Sequence, residues 1–449
     1  KIQKYGLIKN LLTPFKNNLS FDFTMPQKKA INEIFADMQN IYPMSRMLMG
    51  DVGSGKTVVA LSAILLAVEN GYQTMIAAPT EILAEQHFLT ISNMLNKLNV
   101  KTALVTSSAL KKKKEANEII SGIESGETKI VIGTHALIED RIKFKNLSLI
   151  IVDEQHRFGV NQKFATLGKA QTPDILMMTA TPIPRALSMT VYGEMDITVI
   201  DELPPGRIPV KTYYISENGA YNKTLAELRN SGQAYIVYPL IDESDKVELK
   251  SAVAEAEKLS KTIFKDFRVG LLHGKMKPPE KNEIMKSFKS KAFDVLISTT
   301  VIEVGIDVPN ASVIIIQHAD RFGLSALHQL RGRVGRGKKQ SYCFLVGPAK
   351  SENSRRRLDI MTKTNNGFEI AEEDLKMRGP GELMGTIQHG FPEFKAGDLM
   401  KDADIIEFTK TQARTLIETD PKLSKKENAV LKQLIRRRFS NKTKFIQVG

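Results

Sequence analysis

Three groups of residues in this chain have the types and spacing to move a phosphoryl group. The first is Gly50-Asp51-Val52-Gly53-Ser54-Gly55-Lys56-Thr57, an unbroken G-x-x-x-x-G-K-[ST] pattern. Its glycines let backbone N–H groups turn inward around phosphates, Lys56 pairs with the β and γ phosphates, and Thr57 brings a hydroxyl to Mg²⁺. The second is Asp153-Glu154, which follows the apolar Leu149-Ile150-Ile151-Val152. This predicts a buried strand delivering two carboxylates to its tip, Asp153 to hold Mg²⁺ and Glu154 to orient and deprotonate the attacking water. An isolated Asp-Glu pair is ordinarily surface charge, and its place behind a phosphate loop is what makes it catalytic here. The third is Gln329-Leu330-Arg331-Gly332-Arg333-Val334-Gly335-Arg336. Arginines between glycines make poor helix interior, but guanidinium is what a γ-phosphate needs as charge develops in the transition state. The plainer alternative is a backbone-binding patch for RNA or DNA.

The elements around these groups read as strand and helix by turns. Met47-Leu48-Met49 ends a strand, and Thr57 through Glu69 continues with helical spacing, so the loop feeds a helix N-terminus that favours an anion. Gln27 precedes a helix with apolar residues at Ile31, Ile34, Phe35 and Met38. Its amide can donate and accept at once, which predicts a reader of the adenine edge. Downstream, Thr74–Ala78, a helix from Glu81, Ala103–Val105, a helix from Ala109 and Lys129–Ile132 predict a parallel sheet covered on both faces. The tips Pro79-Thr80-Glu81 and Gly133-Thr134-His135 lie where open α/β sheets bind ligands, so Thr80, Thr134 and His135 are candidate phosphodiester contacts. Lys111 to Lys114 reads as the solvated start of a helix. Leu176 to Pro182 is a further strand ending in hydroxyls. Three prolines and a glycine in Leu203–Pro209 mark a boundary, after which the alternation restarts without a phosphate loop. A second domain that supplies arginine to the first domain's nucleotide makes closure depend on ATP.

A chain of 449 residues with 42% hydrophobic content builds several full cores. Its net charge of +14 predicts a polyanion partner without choosing nucleic acid or membrane surface. From Pro421 to Gly449 nine Lys or Arg stand against Glu427, a run that also reads as a solvated basic helix face. The one cysteine, Cys343, excludes a disulfide framework and multi-cysteine zinc sites, and its apolar neighbours predict a buried strand residue. No run reaches the ~18 apolar residues of a membrane helix, and no signal peptide opens the chain, so a reduced cytosol is expected. The opening at Lys1 predicts a fragment.

The phosphate loop, Asp153-Glu154-Gln155-His156, Thr179-Ala180-Thr181-Pro182 and the Gln329 to Arg336 run occur in this order, and the set resembles superfamily 2 helicases. Asp153 through Val160 and Thr181-Pro182-Ile183-Pro184-Arg185 narrow the resemblance to bacterial helicases that remodel branched DNA. Thr364 through Gln388 is similar to the translocation motif of that group, a helical hairpin followed by a loop. The resemblance implies an α/β fold of two tandem RecA-like domains, 27–206 and 207–348, after a lead-in at 1–26 and before a mostly helical translocation segment at 349–449. It implies ATP and Mg²⁺ as cofactors and branched or duplex DNA such as forks and Holliday junctions as substrate. It also implies a monomer in the bacterial cytoplasm, without the family's N-terminal wedge domain. Implied catalytic residues are Lys56, Asp153, Glu154, Gln329, Arg333 and Arg336, and Gly305 and Asp307 join Gln27 and the phosphate loop in holding nucleotide. Thr300, Arg378 and Gln388 join the DNA contacts. Ile387 stands where the family shows a basic residue, and Met25-Pro26 departs from its smaller residues. Gln155 and Pro380 differ from the transcription-repair coupling translocase, and the absent zinc cysteines differ from the primosome helicase. A coupling-type translocase, an RNA helicase and a non-moving ATP-dependent scaffold remain the alternatives.

Overall fold

The computed structural model describes residues 3–111, 113–154, 169–170, 172–180, 195–239, 245–299, 308–337, 339–378 and 402–439. The first sheet is wholly parallel, in the order β3-β4-β2-β5-β6-β1-β7. Its strands are β1 (Ser45–Gly50), β2 (Gln73–Ala77), β3 (Thr102–Val105), β4 (Ile130–Gly133), β5 (Leu147–Asp153), β6 (Asp174–Thr179) and β7 (Asp196–Ile200). Parallel strands need crossovers, and the helices that make them cover both faces, so β5 is buried at every residue and reads as a continuous apolar run. Helices α1 (Leu12–Asn18), α2 (Met25–Gln39), α3 (Lys56–Glu69), α4 (Glu81–Met94) and α5 (Lys113–Ser125) belong to this half. In α3 every residue from Val58 to Val68 is buried, because α1 and α2 close over the side turned away from the sheet. The helix expected from Ala109 is a 3₁₀ turn at Ala109–Lys111, with α5 beginning at Lys113.

Arg46 fixes α2 to the sheet. From β1 it donates to Asp37 Oδ2 at 2.6 Å, Glu33 Oε2 at 3.1 Å and Thr198 Oγ1 at 2.6 Å. A buried guanidinium is tolerable only with its donors satisfied in this way. Met25-Pro26 opens α2 behind the N-cap Thr24, and the first turn is where proline costs no hydrogen bond.

Residues 201–210 hold no helix or strand and join β7 to the second parallel sheet. Its order is β10-β11-β9-β12-β13-β8, from β8 (Lys211–Tyr214), β9 (Gln233–Tyr238), β10 (Val269–Leu272), β11 (Val295–Thr299), β12 (Ala311–Ile316) and β13 (Tyr342–Leu345). Helices α6 (Glu217–Arg229), α7 (Asp245–Lys261), α8 (Pro278–Lys289) and α9 (Leu324–Arg331) go with it. Cys343 is buried in β13, and burial pushes its thiol up to about 12, which leaves it inert at neutral pH. A hairpin of α10 (Glu352–Lys363) and α11 (Gly367–Arg378) shares this core, with Leu358, Met361 and Ile370 packed in the cluster that holds Leu324, Leu327 and Leu330 of α9.

Both sheets and the hairpin form one compact unit, and residues 402–439 belong to a second. In the second, α12 (Ala403–Thr419) and α13 (Ala429–Phe439) are joined by a turn built on Asp420, which accepts from Ser424 N, Lys425 N and Asn428 Nδ2. Arg436 and Arg437 are exposed on α13. Among the described residues no helix is long and apolar enough to cross a membrane.

Candidate functional site

The phosphate loop runs from the buried end of β1 into α3, whose N-cap is Gly55. Gly53 and Gly55 take φ values of +78° and +88°, a region that side chains avoid. A Cβ on Gly55 would lie 2.3 Å from Gln27 Nε2, and one on Gly53 would lie 1.6 Å from Arg207 Nη1. Glycine is thus required both by the backbone and by what leans on the loop. Lys56 Nζ donates to Gly50 O at 2.7 Å and Asp51 O at 2.9 Å. Burial pulls this ammonium below the ordinary lysine range, although the carboxylates of Asp153, Glu154 and Asp51 push it back up. Ser54 Oγ is buried without a hydrogen-bond partner. An orphaned hydroxyl, two left-handed glycines and a helix N-terminus form a cradle that fits a phosphate chain. Thr57, half-buried, follows Lys56 in the first turn of α3.

Gln27 is engaged within the protein. Its Oε1 accepts from Thr24 N at 3.0 Å in a capping box, and its Nε2 donates to Ser54 O at 2.8 Å. At 1% exposure the amide ties α2 to the phosphate loop.

Asp153 ends β5, and Glu154 follows at φ +51°. A left-handed glutamate costs about 1–2 kcal/mol, and such strain concentrates where a side chain has to be aimed. Asp153 Oδ2 lies 2.7 Å from His87 Nε2, a partner on α4 that the sequence did not point out. Burial pushes the Asp153 carboxyl up, but the His87 hydrogen bond and the Lys56 ammonium outweigh it and hold the group below the usual carboxylate range. Asp153 therefore faces the lysine as anion, the state a divalent cation needs.

From the second sheet, α9 and the segment after it reach the same loop. Gly332 abuts Val52, and His328 Nε2 lies 2.7 Å from Asp51 Oδ1. Burial pushes Asp51 up, whereas the His328 hydrogen bond, Val52 N–H and Lys56 bring it below its ordinary range. It stays ionised at neutral and mildly acid pH, and the stabilisation it contributes is lost only as pH falls through that depressed value. The connecting segment adds Arg207, whose Nη1 donates to Val52 O at 2.6 Å. Arg336, half-buried, lines a cleft of about 760 Å³ together with Val52, Gly53 and Arg207. Arg333 is 4% exposed, and Gln329 is half-buried on α9. Arg331 differs from expectation. It is the last residue of α9, and its guanidinium donates to Met361 O, Thr364 O and Asn365 O, so it braces the hairpin and not a phosphate. His328 and Arg207 escaped the sequence reading because a histidine beside Gln329 and an arginine after Pro204-Pro205-Gly206 carry no spacing signal of their own.

Comparison with known proteins places this geometry. A DEAD/DEAH box helicase family matches residues 24–190, and a helicase conserved C-terminal domain matches 220–338. Residues 364–445 match the C-terminal part of domain 3 of the ATP-dependent DNA helicase RecG. The chain is 47% identical over 425 residues to the ATP-dependent DNA helicase RecG of Bacillus subtilis, covering 94% of this chain and 62% of the relative. The chain belongs to the RecG helicases. The Thermotoga maritima RecG is 48% identical, with 90% of this chain and 52% of that protein covered. A structure of RecG bound to a three-way DNA junction is 45% identical with a TM-score of 0.76, over 90% of this chain and 53% of that one. The chain thus spans 52% to 62% of the length of these RecG relatives. A structure of S. cerevisiae Dbp5, at 16% identity and a TM-score of 0.56, shares the two-sheet RecA-like fold alone.

In this RecG-family chain the carboxyl edge of the first sheet gathers the DNA candidates unequally. Thr80 is the half-buried N-cap of α4, and His135 is exposed with Nε2 at 3.3 Å from Ser107 Oγ. Thr134 is 2% exposed, with Oγ1 buried and unpartnered, so its side chain does not reach the surface where a phosphodiester would pass. Arg378, exposed at the end of α11, donates to Asp374 Oδ1 at 3.0 Å and lies over Gly323, the N-cap of α9. Thr300, Gly305, Asp307, Ile387 and Gln388 lie outside the described residues, as do Gln155 to Gly168 and Thr181 to Glu194.

Proposed function

We propose that this chain is the ATP-driven motor of a double-stranded DNA translocase that remodels branched DNA, with 27–206 and 207–348 as its two RecA-like domains and 349–449 as its translocation segment. The observation that carries this reading is the shared cleft. Arg336 from the second sheet and Gly53 from the phosphate loop line one cavity of about 760 Å³, within the range that holds a nucleotide. Bound Mg²⁺ neutralises phosphate charge and polarises the γ-phosphoryl group. Lys56 pairs with the phosphates, while Thr57 and Asp153 hold the metal. Glu154 accepts the proton of the attacking water, and Arg333 and Arg336 meet the charge that develops on the transferred group. Two halves that close only on nucleotide can change their grip on DNA once per turnover.

The deciding experiment measures ATPase rate with forked DNA, linear duplex, single strands and RNA at several salt concentrations. Stimulation greatest with forked or duplex DNA is expected, with log affinity falling by about 0.9 per phosphate contact against log salt. Stimulation by RNA alone sinks the reading, and ATP binding without nucleic-acid-stimulated turnover assigns a scaffold.

Two further outcomes follow from the site. Replacing Gly53 with Ala puts a side chain at φ +78° beside Arg207. At about 1–2 kcal/mol of backbone strain, ATP affinity should fall roughly tenfold in equilibrium titration. His87→Ala removes the partner that orients Asp153. Partners of metal ligands are worth about 10- to 100-fold in metal affinity, so the Mg²⁺ needed for half-maximal turnover should rise by that order. An unchanged Mg²⁺ requirement would free Asp153 from metal binding.

A further inference from the structure

We infer that Arg207, on the segment joining the two sheets, is a phosphate-binding residue that adds its guanidinium to the nucleotide cleft beside Arg336. The inference rests on the reading above that this cleft takes ATP, and names a further residue that holds the triphosphate there. Residues 201–210 carry no helix or strand, yet the approach to Arg207 is rigid. Pro204 and Pro205 each fix φ, and Gly206 turns the chain at φ +85°. The turn presents a half-buried guanidinium to the phosphate loop. Its Nη1 donates to Val52 O at 2.6 Å and stands 1.6 Å from where a Cβ on Gly53 would be, so it lies against the loop's own backbone.

The charge around this guanidinium calls for an anion. Arg207, Arg336 and Lys339 all line the cleft of about 760 Å³, and among the described residues no acidic one lines it with them. The acids of the site, Asp51, Asp153 and Glu154, act on Lys56 instead, and Arg207 is near enough to push the Lys56 ammonium down. Two cations that converge on one loop repel each other, and an anion seated against both relieves that repulsion. A guanidinium carries several N–H donors in a fixed fork that matches phosphate oxygens, so one arginine can serve the Val52 carbonyl and a phosphate together. Its place also sets what it contributes. Arg336 answers charge that grows in the transition state, whereas Arg207 is fastened to loop backbone that holds the phosphates before and during transfer alike. Binding of that uniform kind lowers KM and leaves kcat nearly unchanged.

Equilibrium titration with Mg²⁺ and the non-hydrolysable analogue AMP-PNP, beside steady-state ATPase kinetics and a melting curve, tests this role. Arg207→Met keeps bulk over Gly53 and removes the charge. Affinity for AMP-PNP should fall about 10-fold or more, the ordinary worth of a hydrogen bond to a charged group, and KM should rise in step while kcat at saturating ATP stays within about 3-fold. Arg207→Lys returns a cation without the fork, and should recover about 3-fold or more of the lost affinity. Arg207→Gln, neutral and polar, serves if the methionine variant melts below the parent. A residue that merely braced the loop through the neutral Val52 carbonyl would also raise KM, and salt separates the two roles. Between about 50 mM and about 500 mM NaCl the parent should lose about 2-fold or more affinity beyond what Arg207→Met loses, because salt screens the guanidinium–phosphate pair that the variant lacks. Affinity within about 2-fold of the parent in Arg207→Met or Arg207→Gln overturns the inference, as do equal salt responses, no recovery in Arg207→Lys, or a fall in kcat with KM unchanged. Each of these leaves the motor reading standing. Failure of the unmodified chain to bind AMP-PNP instead brings down the motor reading on which the inference rests.

Discussion

Glu154→Gln is expected to keep ATP bound and to cut turnover by about 10²- to 10⁴-fold, the ordinary contribution of a general base. The amide preserves the size and hydrogen-bonding reach of the side chain, and removes its capacity to take a proton. Glu154 is 6% exposed and held at φ +51° immediately after Asp153, so the backbone has little freedom to re-aim a substitute. The neighbouring aspartate is committed to His87, so it is not available as a replacement base. Single-turnover hydrolysis beside an equilibrium ATP titration checks both halves of the expectation. Turnover within about 2-fold of the parent, far inside the span of a general base, would remove Glu154 from the chemistry. Lys56→Ala should give the opposite signature, with binding itself weakened, because its ammonium lies among the loop carbonyls at Gly50 and Asp51.

The largest effect is expected from Arg336→Ala. Arginine fingers in phosphoryl transfer are worth about 10³- to 10⁵-fold in rate, and on the proposed reading Arg336, which lines a cleft shared with Gly53, serves as one. Its influence on ATP affinity should be much smaller than on turnover, since the guanidinium meets charge that is fully developed only in the transition state. Arg333→Ala should also suppress hydrolysis, with a second cost. Arg333 is 4% exposed, so truncation opens a buried site as well as removing a charge. A melting curve beside the rate measurement separates the two: Arg336→Ala should melt with the parent, and Arg333→Ala should melt lower. Normal hydrolysis in either variant would take that residue out of the interdomain mechanism.

The phosphate loop, the acid pair and the two parallel sheets were legible in the chain because each is a local pattern. A G-x-x-x-x-G-K-T run dictates its own backbone, and strands buried on both faces, such as β5, announce themselves as unbroken apolar runs. Strands β7 and β8 escaped because they close opposite edges of the two sheets. There one side meets solvent, so Asp196–Ile200 is only partly buried and Lys211–Tyr214 is mostly exposed. Their mixed composition has no period to read.

Which polar group meets which was decided by the tertiary structure alone. Gln27 sits where the sequence suggests an adenine reader, yet its amide is taken up by Thr24 and Ser54, because α2 packs against α3 closely enough to reach the loop. Arg331 shares its glycine-flanked run with Arg333 and Arg336, yet the end of α9 turns it onto the hairpin carbonyls while Arg336 faces the cleft. Two residues of one motif thus part company through helix phase, which spacing does not report once the helix ends within the motif. His87, His328 and Arg207 join the site from 66, 277 and 155 residues away from their partners Asp153, Asp51 and Val52. By itself the sequence determined that a triphosphate site and two parallel sheets had to be present, since loop chemistry and strand burial are local demands. The partners that hold that site's acids and loop in place were settled only by folding, because hydrogen bonds between distant segments have no local sequence signal.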